Sequence, residues 1–445
     1  MSNVETGAER DLIDLDHFVY STGSIGSLKT LSVVPVVAGD SFQLDVVGAF
    51  RLSPLRRGLS VDARVEFFSF YIPHRHSYGW GSSNEFVDLM KKGIPASGPA
   101  PILSTHDVPK FSQAGVDKSA LTGFLGTHYN HDTGKIPKYL MQGYIDIYNN
   151  YFKVPYHIDS TVAALENVSL TELRDGLRCN HLDAIWSRVL NPSAEQTHKF
   201  ADMAGNDGID IIGLNQAYGV LNTQQERNHF MQRYRDVVKS FGGSSTIDAD
   251  NRPHLLMHTP IWTSGYDVDG TTTESLGQFS GRVQQPFQHS VPSFYVPEHG
   301  AIFTLVLVRF PSTHQREMHT FVGKAGLDYT DLACDPAIVG NFPPSYIDSK
   351  FIFSESTATN YKIFVPAGQP YRFHPSYVDD RYRKLLGFPF SNYQYQDADS
   401  GLLIDPSEYD QCFQTSQLGH WNIQSKFVTN VRRRIPSARD SIMTN

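Results

Sequence analysis

The side chains best suited to chemistry in this 445-residue chain are arginines set in two clusters. Arg56 and Arg57 sit in a turn, Ser53-Pro54-Leu55-Arg56-Arg57-Gly58, where two guanidinium forks can reach phosphates without disturbing a strand ladder. Arg51 lies on the approach to that turn. Arg432, Arg433 and Arg434 follow a strand-like segment, so alternation sends 432 and 434 to one side and 433 to the other. These six residues are candidates for sequence-independent contact with a nucleic-acid backbone. The competing role is salt bridging to carboxylates of this or a neighbouring subunit. The formal charge of the whole chain is −8, so the two basic zones stand out locally and not globally.

Other constellations are weaker. His74 and His76 flank Arg75 and would share one face if the strand before them continued, but no third metal ligand is adjacent. Asp267-Val268-Asp269-Gly270 places its glycine fourth and Glu274 eighth, unlike a Ca²⁺ loop, and reads as a turn. Asp248-Ala249-Asp250-Asn251 reads as a polar turn as well. Gly277-Gln278-Phe279-Ser280-Gly281 is only superficially like a nucleophile elbow, and no phosphate-binding loop, dinucleotide fingerprint or zincin motif occurs. No catalytic residue, metal ligand or cofactor is assigned.

Three zones must position these groups. The first, from about residue 20 to 76, contains Asp62–Ile72, a strand rich in Val, Phe and Tyr. Its residues Ala63, Val65, Phe67 and Tyr71 face one side. The other side starts charged at Arg64 and Glu66 and turns apolar at Phe68, Phe70 and Ile72, which predicts exposure at the first end only. The second zone, 260–310, ends in the apolar run Ile302–Phe310, expected of a strand buried on both faces. The third, 409–435, alternates Trp421, Ile423, Phe427 and Val431 with Asn422, Gln424, Lys426 and Asn430, a one-sided strand. Insertions at 77–259 and 311–408 separate the zones. The first holds a helix over Thr223–Phe241, opened by a Thr223/Glu226 capping box and stopped by Gly242, and a shorter one over Asn84–Lys92. Strands at both ends of the chain imply one mainly β sandwich domain.

Cys179, Cys334 and Cys412 are odd in number and far apart, which predicts free thiols in a cytosolic product. Acidic residues through Asp16 break any apolar leader, and Ala301–Val308 is too short to span a bilayer. Charged residues are 19% of the chain, below the usual share of about 25%, which fits either a chain that covers much of its surface with partners or simple compositional drift.

Several segments carry a resemblance. They are GDSFQLDVVGAFRLSPLRRGLSVDARVEFFSFYIPHRH at Gly39–His76, GYIDIYNNYFKVP at Gly143–Pro155 and QERNHFMQRY at Gln225–Tyr234. To these add SGYDVDG at Ser264–Gly270, SLGQFSGRVQQ at Ser275–Gln285, VPEHG at Val296–Gly300, YDQCFQ at Tyr409–Gln414 and ARDSIMTN at Ala438–Asn445. In this order the chain resembles the major capsid protein of the phiX-type microviruses, and it departs from that pattern around Gly93–Ala120 and Ser193–Gly208. The resemblance implies an eight-stranded antiparallel jelly roll with long, partly helical insertions, assembled through pentamers into a T=1 icosahedral shell around circular single-stranded DNA. It also implies a spike protein, a small basic DNA-binding protein, internal and external scaffolding proteins, a pilot protein, and exposed loops that engage host lipopolysaccharide. The product would be a virion component built in the bacterial cytoplasm. From the residues alone, a β-sandwich carbohydrate-active enzyme or lectin stays open, prompted by the aromatic and Asp content of Pro311–Asp410.

Overall fold

The structure, a computed structural model, describes residues 10–55, 62–78, 135–152, 176–179, 252–263, 283–310 and 419–433. Shorter described pieces are 85–86, 89, 103, 105–107, 110–113, 116–119, 268–269, 278–279, 345–348, 362–365, 404 and 406–414.

Two antiparallel sheets stack face to face. The first contains β1 (Asp11–Asp14), β2 (His17–Gly23), β4 (Ser41–Leu52), β8 (Gln284–Tyr295) and β10 (Trp421–Arg433). The second contains β3 (Ser27–Val36), β5 (Arg64–Pro73), β6 (Leu177–Arg178), β7 (His254–Trp262) and β9 (Gly300–Arg309). In the first sheet β10 lies between β4 and the pair β1/β2, and β4 is followed by β8. The second runs β6-β3-β9-β5-β7. Eight of these strands have seven or more residues, four in each sheet. Successive long strands change sheet at every step except from β5 to β7.

The pattern of side chains explains the stacking. In β4 the residues Phe42, Leu44, Val46, Phe50 and Leu52 are buried, and in β10 Trp421, Ile423, Phe427 and Val431 are. These meet Val65, Phe67 and Tyr71 of β5 and Ile302, Val306 and Val308 of β9 in one continuous core. The opposite face of the second sheet, with Phe68, Phe70, Ile72, Phe303, Leu305 and Leu307, is buried under a helix. That helix, α2 (Lys138–Ile147), follows the helical turn α1 (His74–Ser77) in sequence. Its Met141, Tyr144 and Ile145 fall at i, i+3 and i+4, and Tyr148 at i+7 extends the stripe. Tyr144 donates its hydroxyl to the Leu28 carbonyl and accepts from the Leu177 amide, both at 2.8 Å, tying helix to sheet.

Several expectations hold. Asp62–Ile72 and Ile302–Phe310 are neighbouring strands of one sheet, paired from Gly300–Pro73 to Arg309–Arg64, and Phe67, Leu305 and Leu307 are fully buried. Cys179 and Cys412 are free and buried. Burial pushes both thiols up to about 12, so neither is a nucleophile near neutral pH. Cys334 and the helix expected at Thr223–Phe241 lie outside the described residues, as does Asp248–Asn251. Glu85, Phe86 and Leu89, within the shorter expected helix, are helical.

Others are corrected. Strand pairing begins at Asp11, well before the expected zone, because Leu12, Ile13, Phe18 and Val19 lie among acids and histidine that hide the alternation. The second zone starts at His254. In the third, residues Pro406–Cys412 form a 3₁₀ turn, so the strand starts only at Trp421. Glu66 is not exposed: its carboxylate is buried and ion-paired with Arg64 at 3.1 Å and with Arg309, whose Nε donates at 2.8 Å. Arg309, 243 residues away, joins the nearby Arg64 in supplying the compensation a buried carboxylate needs. His74 and His76 stand in the helical turn α1 after Pro73 ends the strand. Residues two apart on a helix lie on nearly opposite sides, so the shared strand face is lost. Val268–Asp269 pairs with Gln278–Phe279 in a short ribbon rather than forming only a turn.

Candidate nucleic-acid interface

Among the described residues no element covers the outer face of the first sheet. Backbone alternation turns every second residue of its strands away from the core, and the pairing register sets these residues in rows across the sheet. One row reads Phe18–Lys426–Val47–Gln288, the next Tyr20–Gln424–Ala49–Pro286, and the last Thr22–Asn422–Arg51–Gln284. At the other end of the strands a row reads Leu12–Arg432–Ser41–Tyr295. Phe18, Tyr20 and Tyr295 are 66%, 73% and 61% exposed, values reached by few large apolar side chains of a folded sandwich.

Of the three candidate arginines among the described residues, two reach this face. Arg51 lies in its last row and donates from Nε to Gln284 Oε1 at 3.1 Å. Arg432 is exposed at the opposite end. Arg433 points to the other side, as alternation requires. Its guanidinium binds the buried Asp40 carboxylate at 2.8–3.2 Å and donates to the Pro35 carbonyl at 3.1 Å. Asp40 in turn accepts from the Val37 amide at 2.8 Å, and Gly39, at φ +87°, lets the chain turn there. Arg433 therefore clamps the last strand to the β3–β4 turn, the carboxylate-pairing role weighed against nucleic-acid contact. Arg56, Arg57 and Arg434 lie outside the described residues.

Sequence reasoning placed Lys426 on the outer side of its strand but did not single out Phe18, Tyr20 or Tyr295. Lys426 Nζ sits 3.1 Å from Asp16 Oδ2. The other Asp16 oxygen accepts from the Thr429 amide at 2.9 Å; that bond and the lysine hold its carboxyl below the usual carboxylate range. The signal for the aromatics was present in the alternation of His17–Thr22, where 18 and 20 share a face.

Two buried histidines, His289 and His420, are structural. His289 is buried between the sheets, its Nε2 2.8 Å from Ser69 Oγ and its Nδ1 2.8 Å from Thr259 Oγ1. A serine and a histidine at this distance have the outline of a nucleophile and base, but both are fully buried and no substrate can reach them. Burial lowers the His289 pKa to about 4. His420 Nδ1 accepts from the Ile25 amide at 3.2 Å, which fixes the proton on Nε2, donated to Asp410 Oδ1 at 2.7 Å. No group of three or more His, Cys, Asp or Glu fit to hold a metal ion occurs among the described residues.

Among the described residues, the β-sandwich has one outer face covered by a helix and the other broad, polar and aromatic, an architecture dominated by extended surfaces. Comparison with known proteins gives the particular family. A sequence model described as "Capsid protein (F protein)" matches residues 2–199 and 191–443. The chain is 50% identical over 452 residues to capsid protein F of Enterobacteria phage phiK and 50% over 446 residues to that of Escherichia phage G4. It is 48% identical over 452 residues to that of Escherichia phage alpha3, and each alignment covers 100% of both chains. The chain belongs to the F capsid proteins, the major capsid proteins of the phiX-type microviruses. It is a structural component of the virion and not an enzyme, so the carbohydrate-active reading is set aside. Its copies associate into a shell that encloses the phage genome.

Proposed function

We propose that the two sheets form an eight-stranded jelly roll whose copies assemble through pentamers into a T=1 icosahedral shell around circular single-stranded DNA, with the open face of the first sheet turned inward. Support for the jelly roll comes from the four long strands in each sheet and from connections that alternate between sheets. The observation that carries the inward orientation is the contrast between faces: α2 seals the second sheet, while Arg51 and Arg432 stand on the uncovered face of the first. A shell of subunits with formal charge −8 repels a polyanion unless it displays cations selectively inward.

In this reading Arg51 and Arg432, with Arg56, Arg57 and Arg434, contact genome phosphates or the small basic DNA-binding protein, and Arg433 serves the fold. The insertions at 77–259 and 311–408 carry contacts to the spike protein, to internal and external scaffolding proteins and to the pilot protein, and their exposed loops meet host lipopolysaccharide.

The test replaces Arg51, Arg56, Arg57, Arg432 and Arg434 with Gln and separates assembled particles by density. Empty shells should still form while DNA-filled ones fall in number or in stability. Unchanged packaging would refute the inward assignment. Electron microscopy of filled particles would read the orientation of the open face directly.

A further inference from the structure

The rows of the open face contain three cations, Arg51, Lys426 and Arg432. Against them stand Asp14 and Asp45 on the same face and Asp16 at its margin, already paired with Lys426. Formal charge on the face as a whole is therefore close to zero, so Arg51 and Arg432 at its two ends can contact phosphate without making the face a continuous basic groove. What the face has in excess is planar side chains. Phe18 and Tyr20 are two residues apart on one strand, so their rings stand about 7 Å apart along the sheet edge. Beside them Gln424 and Asn422 continue the surface, and Gln288 and Gln284 border it across the small floor of Val47 and Ala49. Tyr295 stands at the diagonal corner, in the row of Arg432.

We infer that this face binds single-stranded nucleic acid by stacking bases on Phe18, Tyr20 and Tyr295 and by amide hydrogen bonds from Gln424 and its neighbours, with phosphate charge in a minor part. The inference rests on the inward orientation proposed above and specifies how the cargo is held there. Aromatic rings accept any base, since every base has a π-face, and carboxamides offer both a donor and an acceptor to base edges. A lining that must accept a whole genome without preferring one sequence needs that tolerance. The aromatics project from hydrogen-bonded strands and are exposed, so little backbone ordering is needed when bases settle on them. A protein partner fits less well, because interface cores are depleted of charge, whereas here Lys426, Asp45 and Arg51 and the amides of Gln424 and Asn422 are interspersed with Val47, Ala49 and Val428.

Near-neutral charge gives a distinctive signature. With Lys426 neutralised by Asp16, two cations remain, and at about 0.7 counterions per contact for single strands the slope of log affinity against log salt should be no steeper than about −1.4. Binding of oligothymidylate to the purified full-length protein, followed by fluorescence anisotropy across a salt series, measures it. Phe18→Ala and Tyr20→Ala should each weaken binding roughly tenfold, with melting temperature unchanged because both side chains are exposed. Ultraviolet cross-linking of intact filled particles should attach bases to the peptides bearing Phe18, Tyr20 and Tyr295.

The outcomes separate. If the aromatic variants bind as the parent does while Arg51→Gln with Arg432→Gln abolishes binding on a steep salt slope, stacking is overturned and the DNA-facing orientation survives. Binding to no oligonucleotide, with cross-links only on other segments, overturns both. Loss of shell formation in Phe18→Ala/Tyr20→Ala, without cross-links there, marks the face as a contact between subunits and overturns the inference.

Discussion

In β9 every residue from Gly300 to Val308 is buried, whereas in β10 buried and accessible residues alternate along almost the whole strand. Both are interior strands of five-stranded sheets that share one core. The difference comes from the second layer. Over β9 lies α2 with Met141, Tyr144 and Ile145, so Phe303, Leu305 and Leu307 have apolar neighbours on the face turned from the first sheet. Nothing comparable lies over β10 among the described residues, and its outer positions are Asn422, Gln424, Lys426, Val428, Asn430 and Arg432. One sheet is fixed on both sides and works as the structural floor. The other is fixed on one side only, and its free side is available to partners.

Substitutions test that division, and the largest effect is expected where both sides are filled. Leu305→Asp places a carboxylate without a partner between β9 and α2, and soluble full-length protein should be lost, as read from expression and gel filtration. Arg433→Ala removes the partner of a buried carboxylate. Asp40 would then lie uncompensated, and thermal unfolding should report a loss of about 3–5 kcal/mol.

Acid should also act on the core of the sandwich. His289 titrates near 6.5 when unfolded and about 4 when folded, because burial disfavours its charged form. Between those values the unfolded chain binds more protons, so stability falls as pH drops from about 6.5 toward 4, by up to roughly 3 kcal/mol for this group. Unfolding by urea at several pH values should show the slope, and His289→Gln should flatten it. On the open face the expectation is smallest. Gln424→Ala should change stability by less than about 0.5 kcal/mol by the same unfolding assay, and a larger loss would mean that this face is packed after all.

How much of this was legible depends on sequence distance. Ile302–Phe310 could be read as a doubly buried strand because its signal is local and continuous. So could the one-sided character of Trp421–Val431, whose period of two survives every polar substitution on its outer side. The burial of Glu66 was not legible: a strand that begins Arg-Val-Glu looks half exposed until Arg309 and His258, on two other strands, are brought to the carboxylate. The pairing of Arg433 with Asp40 spans 393 residues and is equally silent. In α2 a signal existed, apolar at 141, 144, 145 and 148. It was weakened by Gly143 inside the helix and by Asn149 and Asn150 just beyond it, residues of low helix propensity. The helix forms there because tertiary packing outweighs that preference.

The position of β10 also has a consequence for synthesis. All the long strands of the second sheet lie upstream of residue 310, but the first sheet cannot close until the strand at Trp421–Arg433 arrives to fill the gap between β2 and β4. At about 5–20 residues per second a ribosome needs roughly 6–25 s to extend the chain from the end of β9 to the end of β10. For that interval the nascent product has one finished sheet and one with two unsatisfied edges. A polypeptide released early therefore lacks the strand that makes the open face continuous. Translation through the codon for Arg433 becomes a condition for completing the first sheet, imposed by topology alone.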